Sequence, residues 1–202
     1  MRKEILERNT NETKIKVEID LDAKGENNID TGIGFFDHML NLFAFRAGIT
    51  LHVACQGDLE VDGHHTVEDV GISLGQIISK ALGDKSGIAR YGSARLPMDD
   101  CLAQVDLDLS NRPYLVFNAE FGNNRIGANG SGKYQVGDFE TELVEEFFRA
   151  MAVHTGMTLH INLLYGKNTH HAIEAIFKAF GRAFGEAIKV VGDEMPSTKG
   201  VL

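Results

Sequence analysis

The segment Gly48-Ile-Thr-Leu-His52 recurs 108 residues later as Gly156-Met-Thr-Leu-His160. A second segment behaves in the same way, because His64-His-Thr-Val-Glu68 recurs as His170-His-Ala-Ile-Glu174. The two segments stand in the same order both times, and the spacing between them differs by two residues. Chance rarely produces two repeated segments in the same order, so the sequence predicts an internal duplication of one structural unit.

The hydrophobic pattern gives both halves similar predicted elements. Apolar residues recur at helical spacing over 67–81 and 173–188, after each His-His pair, and earlier helices are predicted over 35–47 and 140–154. Gly48 and Gly156 follow the earlier helices at equivalent positions, where glycine favours a C-terminal cap. Strands are predicted, from β-branched or alternating residues, at 14–21, 50–61, 102–109, 114–121 and 157–165.

These elements predict an α+β protein made of two duplicated half-domains. Each half consists of strands, a helix, a strand and a helix, and the simplest layered packing sandwiches four helices between two four-stranded sheets. We place the first half-domain at residues 1–87, the second at 88–192 and a C-terminal tail at 193–202.

Composition excludes several classes of protein. With 202 residues, 43% of them hydrophobic, the chain can form a core without disulfides or structural metal. Its 29 acidic against 20 basic residues give a net charge of −9, which argues against nucleic-acid or anionic-membrane binding. We find neither a signal peptide nor an apolar run of the ~18 residues that span a bilayer. Cys55 and Cys101 are expected to be free thiols, which favours the cytoplasm.

The histidine pairs are candidate metal ligands. At the start of a helix, His64 and His65 lie four and three residues before Glu68, so either imidazole can share a face with that carboxylate. Adjacent helical residues point about 100° apart, however, so the two histidines are better suited to two different ions. The same reasoning applies to the second copy, which consists of His170, His171 and Glu174.

The duplication suggests one further ligand in each half. His38 lies on the first predicted helix, and the offset of 108 maps it onto Glu146. Imidazole and carboxylate donors without thiolate select manganese, iron, cobalt or zinc, and the spacing leaves that choice open. His52 and His160 lie inside apolar strands, where we expect them in the core or supporting the ligands.

Two other classes stay open on these residues alone. A di-metal phosphoesterase also uses histidine and carboxylate ligands, but its ions lie about 3.5–4 Å apart, which adjacent divergent histidines do not favour. A metal-storage protein would need the ligands but not the basic tail around Lys199.

Segments 62–69 and 168–175 resemble the two signature motifs of the imidazoleglycerol-phosphate dehydratase family, and segments 35–40, 109–114 and 197–202 resemble three further blocks of it. The resemblance runs from Arg8 to Leu202. It implies a hydro-lyase of histidine biosynthesis that converts D-erythro-imidazoleglycerol phosphate to imidazole-acetol phosphate. It also implies a duplicated fold of the ribosomal protein S5 domain 2-like type, two Mn(II) ions per site and a homo-oligomer of 24 subunits built from trimers.

The same resemblance assigns roles to individual residues. It implies metal ligands at His38, His64, His65, Glu68, His170, His171 and Glu174. Some members have histidine at the position of Glu146, which we keep as a ligand because a carboxylate can also bind manganese. The resemblance also implies three catalytic residues, which are Glu12, Glu68 and Glu174, and Glu12 is the candidate base. Phosphate binding is implied for Arg90, Arg112, Ser197 and Lys199, and the loop at 122–135 is longer than the family pattern.

The implied substrate also suggests a mechanism. Loss of water requires removal of a proton from a carbon that has no adjacent carbonyl group. A metal on the ring nitrogen would favour the imidazolate form, whose electrons can expel the neighbouring hydroxyl. The conjugated, diazafulvene-like product then has an acidic proton, which a carboxylate such as Glu12 could remove to give the enol and hence the ketone.

Overall fold

Each half of the chain builds a four-stranded sheet and two helices. The structure is a computed structural model that describes residues 2–121 and 134–202. In the first half, the strands are β1 (Lys3–Asn9), β2 (Thr13–Asp20), β3 (Asn28–Asp30) and β4 (Thr50–Gly57), and the helices are α1 (Gly34–Ala47) and α2 (His64–Leu82).

The second half repeats this order and adds a short hairpin. Its sheet contains β5 (Tyr91–Met98), β6 (Cys101–Asp108), β7 (Tyr114–Asn118) and β10 (Thr158–Tyr165). Its helices are α3 (Leu143–Thr155) and α4 (Thr169–Ala187), and the added hairpin pairs β8 (Gln135–Val136) with β9 (Phe139–Glu140).

The two sheets have the same topology. The strand orders are β1-β2-β4-β3 and β5-β6-β10-β7, and in both sheets the first two pairings are antiparallel and the last is parallel. Gly48 and Gly156 end α1 and α3 in the left-handed conformation, with φ of 73° and 75°. The predicted α+β fold and the equivalence of the two halves are therefore confirmed. The residue bounds that we gave to the half-domains and tail stay a prediction.

The helices lie between the sheets and pair across the duplication. In the first half, α2 packs on β1 and β2 while α1 packs on β3 and β4; in the second half, α4 packs on β5 and β6 while α3 packs on β7. The two helix layers then meet, because α1 packs against α4 and α2 packs against α3. A cluster of buried phenylalanines fills the space between them, with members that include Phe36, Phe43, Phe147, Phe148, Phe177, Phe180 and Phe184.

Glycines set the distance between the paired helices. A Cβ atom added at Gly181 would lie 2.5 Å from the carbonyl oxygen of Phe43, and one at Gly185 would lie 2.5 Å from that of Ala47. Gly75 of α2 faces α3 in the same way, since its Cβ would lie 2.6 Å from the Cβ of His154. Both helix pairs are therefore in backbone contact, which no larger side chain at these positions would permit.

Some elements differ from the sequence prediction. The sequence does not predict β1, β3, β5, β8 or β9: β1 and β3 bury none of their side chains, β5 contains Gly92 and Pro97, and β8 and β9 have two residues each. The helix predicted over 140–154 begins at Leu143, because β9 takes up Glu140. The predicted strand 50–61 ends at Gly57, where a turn leads into α2. His52 and His160 are exposed, so the expectation that they lie in the core is wrong. Most of the loop at 122–135 lies outside the described residues.

A helix that crosses a membrane must be both long and apolar. Within residues 2–121 and 134–202, no helix is long and apolar enough to cross a bilayer.

We predict that Gly181→Ala destabilises the protein although alanine is the better helix former. Alanine gains about 1 kcal/mol in helix propensity, but overpacking against the Phe43 carbonyl costs about 1–3 kcal/mol. Denaturant unfolding of the metal-free protein at fixed concentration measures the free energy of unfolding. The matched control is Gly34→Ala, because a Cβ at Gly34 in α1 meets nothing within 4 Å. Equal stability of the Gly181→Ala variant and the parent would contradict the prediction.

Candidate metal centre and active site

A cluster of three metal-competent side chains forms where α1 meets α4. His38 comes from α1, and His170 and Glu174 lie one turn apart on α4. The Nε2 atoms of His38 and His170 lie 3.8 and 3.2 Å from the same oxygen of Glu174. In the part of the chain that the structure describes, this is the group whose ligand atoms all approach within 4.8 Å of one another. The cluster joins the two halves, since its members come from both.

Glu174 is the buried member of this cluster. Its side chain is 8% exposed, whereas those of His38 and His170 are 51% and 44% exposed. Its second oxygen contacts the ammonium of Lys178, one turn further along α4. Burial acts to raise the pKa of Glu174, but Lys178 and the two histidines outweigh it and hold that pKa below its usual value. The carboxylate is therefore ionised at neutral pH and available to a cation.

The two imidazole rings of each histidine pair point in different directions. The rings of His64 and His65 have centroids 6.3 Å apart and planes 88° apart, and for His170 and His171 these values are 6.1 Å and 83°. His65 and His171 therefore face other neighbours than His64 and His170 do. This geometry agrees with the expectation that the members of a pair serve different ions, although which ligands share an ion stays a prediction.

Carboxylates contact the Nδ1 atoms of His65 and His171, the second histidine of each pair. His65 Nδ1 lies 3.0 and 3.1 Å from the two oxygens of Asp58, and His171 Nδ1 lies 2.7 Å from Asp100 Oδ1. Asp58 raises the pKa of His65. Hydrogen bonds from His171, and then from the backbone of Lys167 and Asn168, hold the pKa of Asp100 well below its usual range.

The counterpart cluster in the other helix pair is not closed. By the duplication it would contain His64, Glu68 and Glu146, but these residues do not meet the 4.8 Å limit that the first cluster meets among the described residues. Glu146 instead lies 3.7 Å from Arg149, one turn further along α3. A ligand role for these three residues stays a prediction.

The hairpin between β1 and β2 brings Glu12 to the site. Its carboxylate lies 3.7 Å from His65 Nε2. The turn is pinned to α2, because the Thr13 hydroxyl donates a 2.5 Å hydrogen bond to Asp69, which also forms a 2.7 Å ion pair with Arg8. Asp69 is 5% exposed and follows Glu68 directly, so this ion pair fixes Glu12 relative to the start of α2.

The other predicted residues lie around the C-terminal tail. Arg90 forms a two-pronged ion pair with Asp108, at 2.7 and 3.0 Å, and donates a 2.8 Å hydrogen bond to the carbonyl of Pro196. Its guanidinium is thus engaged in holding the tail just before Ser197. Lys199 is exposed, and its backbone N–H bonds to the Ser197 hydroxyl at 3.2 Å.

The turn that carries Arg112 is held by a buried lysine. Lys85 is 1% exposed, and its ammonium donates to the side chain of Asn111, whose φ is 56°. Burial lowers the pKa of Lys85. The Arg112 side chain remains 60% exposed and lies 3.4 Å from Asp108, so Asp108 contacts both arginines of the predicted phosphate site.

The assembled side chains suit a divalent cation and acid–base chemistry. Two imidazoles and a buried carboxylate form one donor set without thiolate, which is the kind of set that Mn(II), Fe(II) and Zn(II) accept. The Glu12 carboxylate, on a pinned turn, lies 3.7 Å from a further imidazole, and a carboxylate can act as a general base. The model of imidazoleglycerol-phosphate dehydratases matches residues 31–184, a span that includes both histidine pairs. The chain belongs to that family.

Relatives in the imidazoleglycerol-phosphate dehydratase family match over the full length. The chain is 54% identical to the enzyme of that name from Exiguobacterium sp. over 201 residues, which is 99% of this chain and 98% of the relative. It is 55% identical to the one from Acetivibrio thermocellus over 203 residues, covering 100% and 99% of the two chains.

Solved structures of imidazoleglycerol-phosphate dehydratases match the fold as well. The Staphylococcus aureus structure is 44% identical with a TM-score of 0.79, covering 92% of this chain and 98% of that one. The Pyrococcus furiosus structure is 36% identical with a TM-score of 0.80, covering 98% and 100%. The protein is thus a hydro-lyase of a family that acts in histidine biosynthesis, and the phosphoesterase and metal-storage alternatives are wrong.

Several residues of the site were not found from the sequence. Lys178 follows Glu174 by four residues, a spacing that predicts contact on a helix and could have found it. Asp58, Asp100 and the Arg8–Asp69 ion pair gave no such signal, because their partners are distant in sequence or reached through irregular turns.

We predict that Arg90→Lys loosens the tail. Lysine keeps the charge but lacks the planar guanidinium, so it cannot contact Asp108 and the Pro196 carbonyl together. One charge-assisted hydrogen bond is worth about 1.5–3 kcal/mol. Its loss should make local opening of the tail roughly ten- to hundredfold more frequent. Hydrogen exchange should quicken at the N–H groups of Gly87 and Val191, which bond to Glu194 and Gly87 respectively. Arg112→Lys is the control and should leave both rates unchanged. Unchanged rates in Arg90→Lys would mean that the fork does not hold the tail.

Proposed function

We propose that this protein dehydrates D-erythro-imidazoleglycerol phosphate to imidazole-acetol phosphate, using two Mn(II) ions in each site, in the cytoplasm. Membership of the family supports the reaction. The observation that carries the metal dependence is the His38–His170–Glu174 cluster, because two imidazoles and a buried carboxylate bring their ligand atoms within 4.8 Å of one another as one donor set without thiolate.

The donor chemistry fits manganese. His38, His170 and Glu174 would hold metal, and His64, His65, Glu68, Glu146 and His171 are the further proposed ligands. When bound, Mn(II) supplies a Lewis acid to the ring nitrogens of the substrate and favours the imidazolate form. Mixed imidazole and carboxylate donors with open positions are typical of such sites.

The chain's own residues would bind the ring and move the proton. Glu12 is the proposed base, and its position 3.7 Å from His65 Nε2 supports a carboxylate that stands beside the ring-binding ligands. The Arg8–Asp69 ion pair and Thr13 restrict the turn that carries Glu12, so that the base is oriented before the substrate arrives. Glu68 and Glu174 would act mainly by holding charge at the site.

The substrate phosphate would lie at the C-terminal tail. Arg112 and Lys199 are the exposed cations of this region, and the Ser197 hydroxyl can donate a hydrogen bond. Arg90 contributes positive charge and keeps the tail beside β6 through Pro196. These groups form a local basic region on a chain of net charge −9, as an anionic substrate requires.

We also propose that the active unit is a homo-oligomer, a 24-subunit assembly built from trimers. The cluster on one chain offers three ligands, and two of them are about half exposed. Mn(II) favours octahedral coordination with six donors, so ligands from a second subunit, together with the substrate, would complete each shell, and metal would favour assembly.

We predict that chelation abolishes dehydration and that Mn(II) restores it. Glu174→Gln should lower kcat/KM by about 100-fold or more, since it removes the charged ligand that both imidazoles face. Ketone formation from imidazoleglycerol phosphate is the measurement. The control is Glu18→Gln, a half-buried glutamate of β2 that pairs with Lys16. Full activity of metal-free protein would contradict the proposed metal dependence.

The same chelated samples test the assembly. Light scattering should show smaller species without metal and the large one after Mn(II) is added back. A metal-loaded protein that stays monomeric and fully active on dilution would contradict the shared-site proposal.

We predict that Lys199→Ala weakens binding of the phosphorylated substrate about tenfold or more and leaves a dephosphorylated analogue nearly unaffected, because a charge-assisted hydrogen bond is worth about 1.5–3 kcal/mol. Steady-state KM and inhibition by the analogue measure the two effects. The control is Lys189→Ala, an exposed lysine between α4 and the tail. Equal losses for both compounds would show that Lys199 acts through packing.

A further inference from the structure

An aspartate contacts Nδ1 of the second histidine of each pair, and the duplication does not explain why this contact occurs in both halves. Asp58 follows β4 in the first half, whereas Asp100 lies in the turn between β5 and β6 in the second. The repeat offset places the counterpart of Asp58 at 164–166, which reads Leu164-Tyr165-Gly166 and contains no carboxylate. Two unrelated carboxylates therefore reach Nδ1 of equivalent histidines, His65 and His171.

The chemistry of the contact fixes where the imidazole proton lies. An ionised carboxylate only accepts hydrogen bonds, so the nitrogen that faces it must carry the hydrogen. In the neutral ring, Nδ1 of His65 and of His171 is then the N–H, and Nε2 keeps the free lone pair. A histidine binds metal through such an unprotonated nitrogen, and the group bonded to its other nitrogen sets the ring orientation.

We propose that Asp58 and Asp100 are positioning residues that hold His65 and His171 in the Nδ1–H tautomer and so present Nε2 to the metal. This inference rests on the proposed function, because it takes the two histidines as ligands. The opposite nitrogen, Nε2, lies 3.7 Å from Glu12 in His65 and 3.6 Å from Asp99 in His171, too far for a hydrogen bond in either ring.

The two aspartates differ in a way that makes the proposal testable. Asp100 Oδ2 accepts hydrogen bonds from the backbone N–H groups of Lys167 and Asn168, at 2.9 and 3.0 Å, while Oδ1 faces His171. Asp58 has both oxygens within 3.1 Å of His65 Nδ1, and in the described residues its carboxylate bonds to no other group. The orientation of Asp100 is therefore fixed, and that of Asp58 is free.

This difference predicts opposite results for the same substitution. In Asp100→Asn, the two backbone N–H groups retain the amide oxygen, so the amide NH₂ must face His171 Nδ1 and donate to it. The proton of His171 is then forced onto Nε2, which must lose it before it can bind metal. In Asp58→Asn, the amide can turn its oxygen toward His65, so the Nδ1–H tautomer persists.

Solid-state ¹⁵N NMR of sedimented, metal-free protein with labelled histidines reads the tautomers directly at an alkaline pH at which the imidazoles are neutral, with His65→Ala and His171→Ala as assignment references. We expect the protonated nitrogen of His171 to change from Nδ1 to Nε2 in Asp100→Asn, and that of His65 to be unchanged in Asp58→Asn. An Nδ1–H tautomer of His171 in Asp100→Asn would overturn the proposal, because a purely structural or charge effect would leave the proton in place.

Mn(II) binding provides the second readout, measured by the EPR signal of free Mn(II). Asp100→Asn should lower the affinity about 100-fold and Asp58→Asn about tenfold or less. The control for loss of one negative charge is Asp84→Asn, an exposed aspartate that accepts from the backbone of Ser86 in the turn after α2. Affinities equal to this control in both variants would overturn the proposal. If the parent bound no Mn(II), the proposed function would fail, while the tautomers in metal-free protein would still decide this inference.

Discussion

The backbone contact between α1 and α4 is the constraint on which the rest of the structure depends. Gly181 and Gly185 let the two helices approach until only a hydrogen atom fits between them and the carbonyls of Phe43 and Ala47. At the same helix pair, His38 and Glu174 come within 3.8 Å of each other. A wider separation would take His38 away from Glu174 and leave the carboxylate with His170 alone, so helix packing and ligand geometry are one property of this fold.

Much of the fold could be predicted because its signals are local and occur twice. The helix after each histidine pair, the glycine caps at 48 and 156 and the central strands follow from spacing alone. Strand β1 could not be found, because as an edge strand it alternates exposed and half-buried residues with none fully buried, and charged residues occur at both kinds of position. His52 and His160 are exposed although their neighbours in sequence are apolar and buried, because successive side chains of a strand point to opposite faces of the sheet. Apolar neighbours in the sequence therefore do not predict burial of a strand residue.

The site was less predictable than the fold for a physical reason. Its histidines and glutamates form repeated helical motifs, whereas the groups that orient them are single residues in turns. Asp100 reaches His171 across 71 residues, and Asp58 reaches His65 from an irregular segment. Arg90 matched a phosphate-binding position, yet its contacts with Asp108 and Pro196 became visible only when β6 and the tail were placed together.

The pairing of helices across the two halves also constrains how such a protein can arise. A single half-domain has no partner for either of its helices, so it could bury them and close the cluster only against a second copy of itself. A half-length ancestor would thus have worked as a symmetric pair, with two identical clusters. Joining the copies in one chain released each cluster from that symmetry, and the present chain has used this freedom, since the position that is His38 in one half is Glu146 in the other.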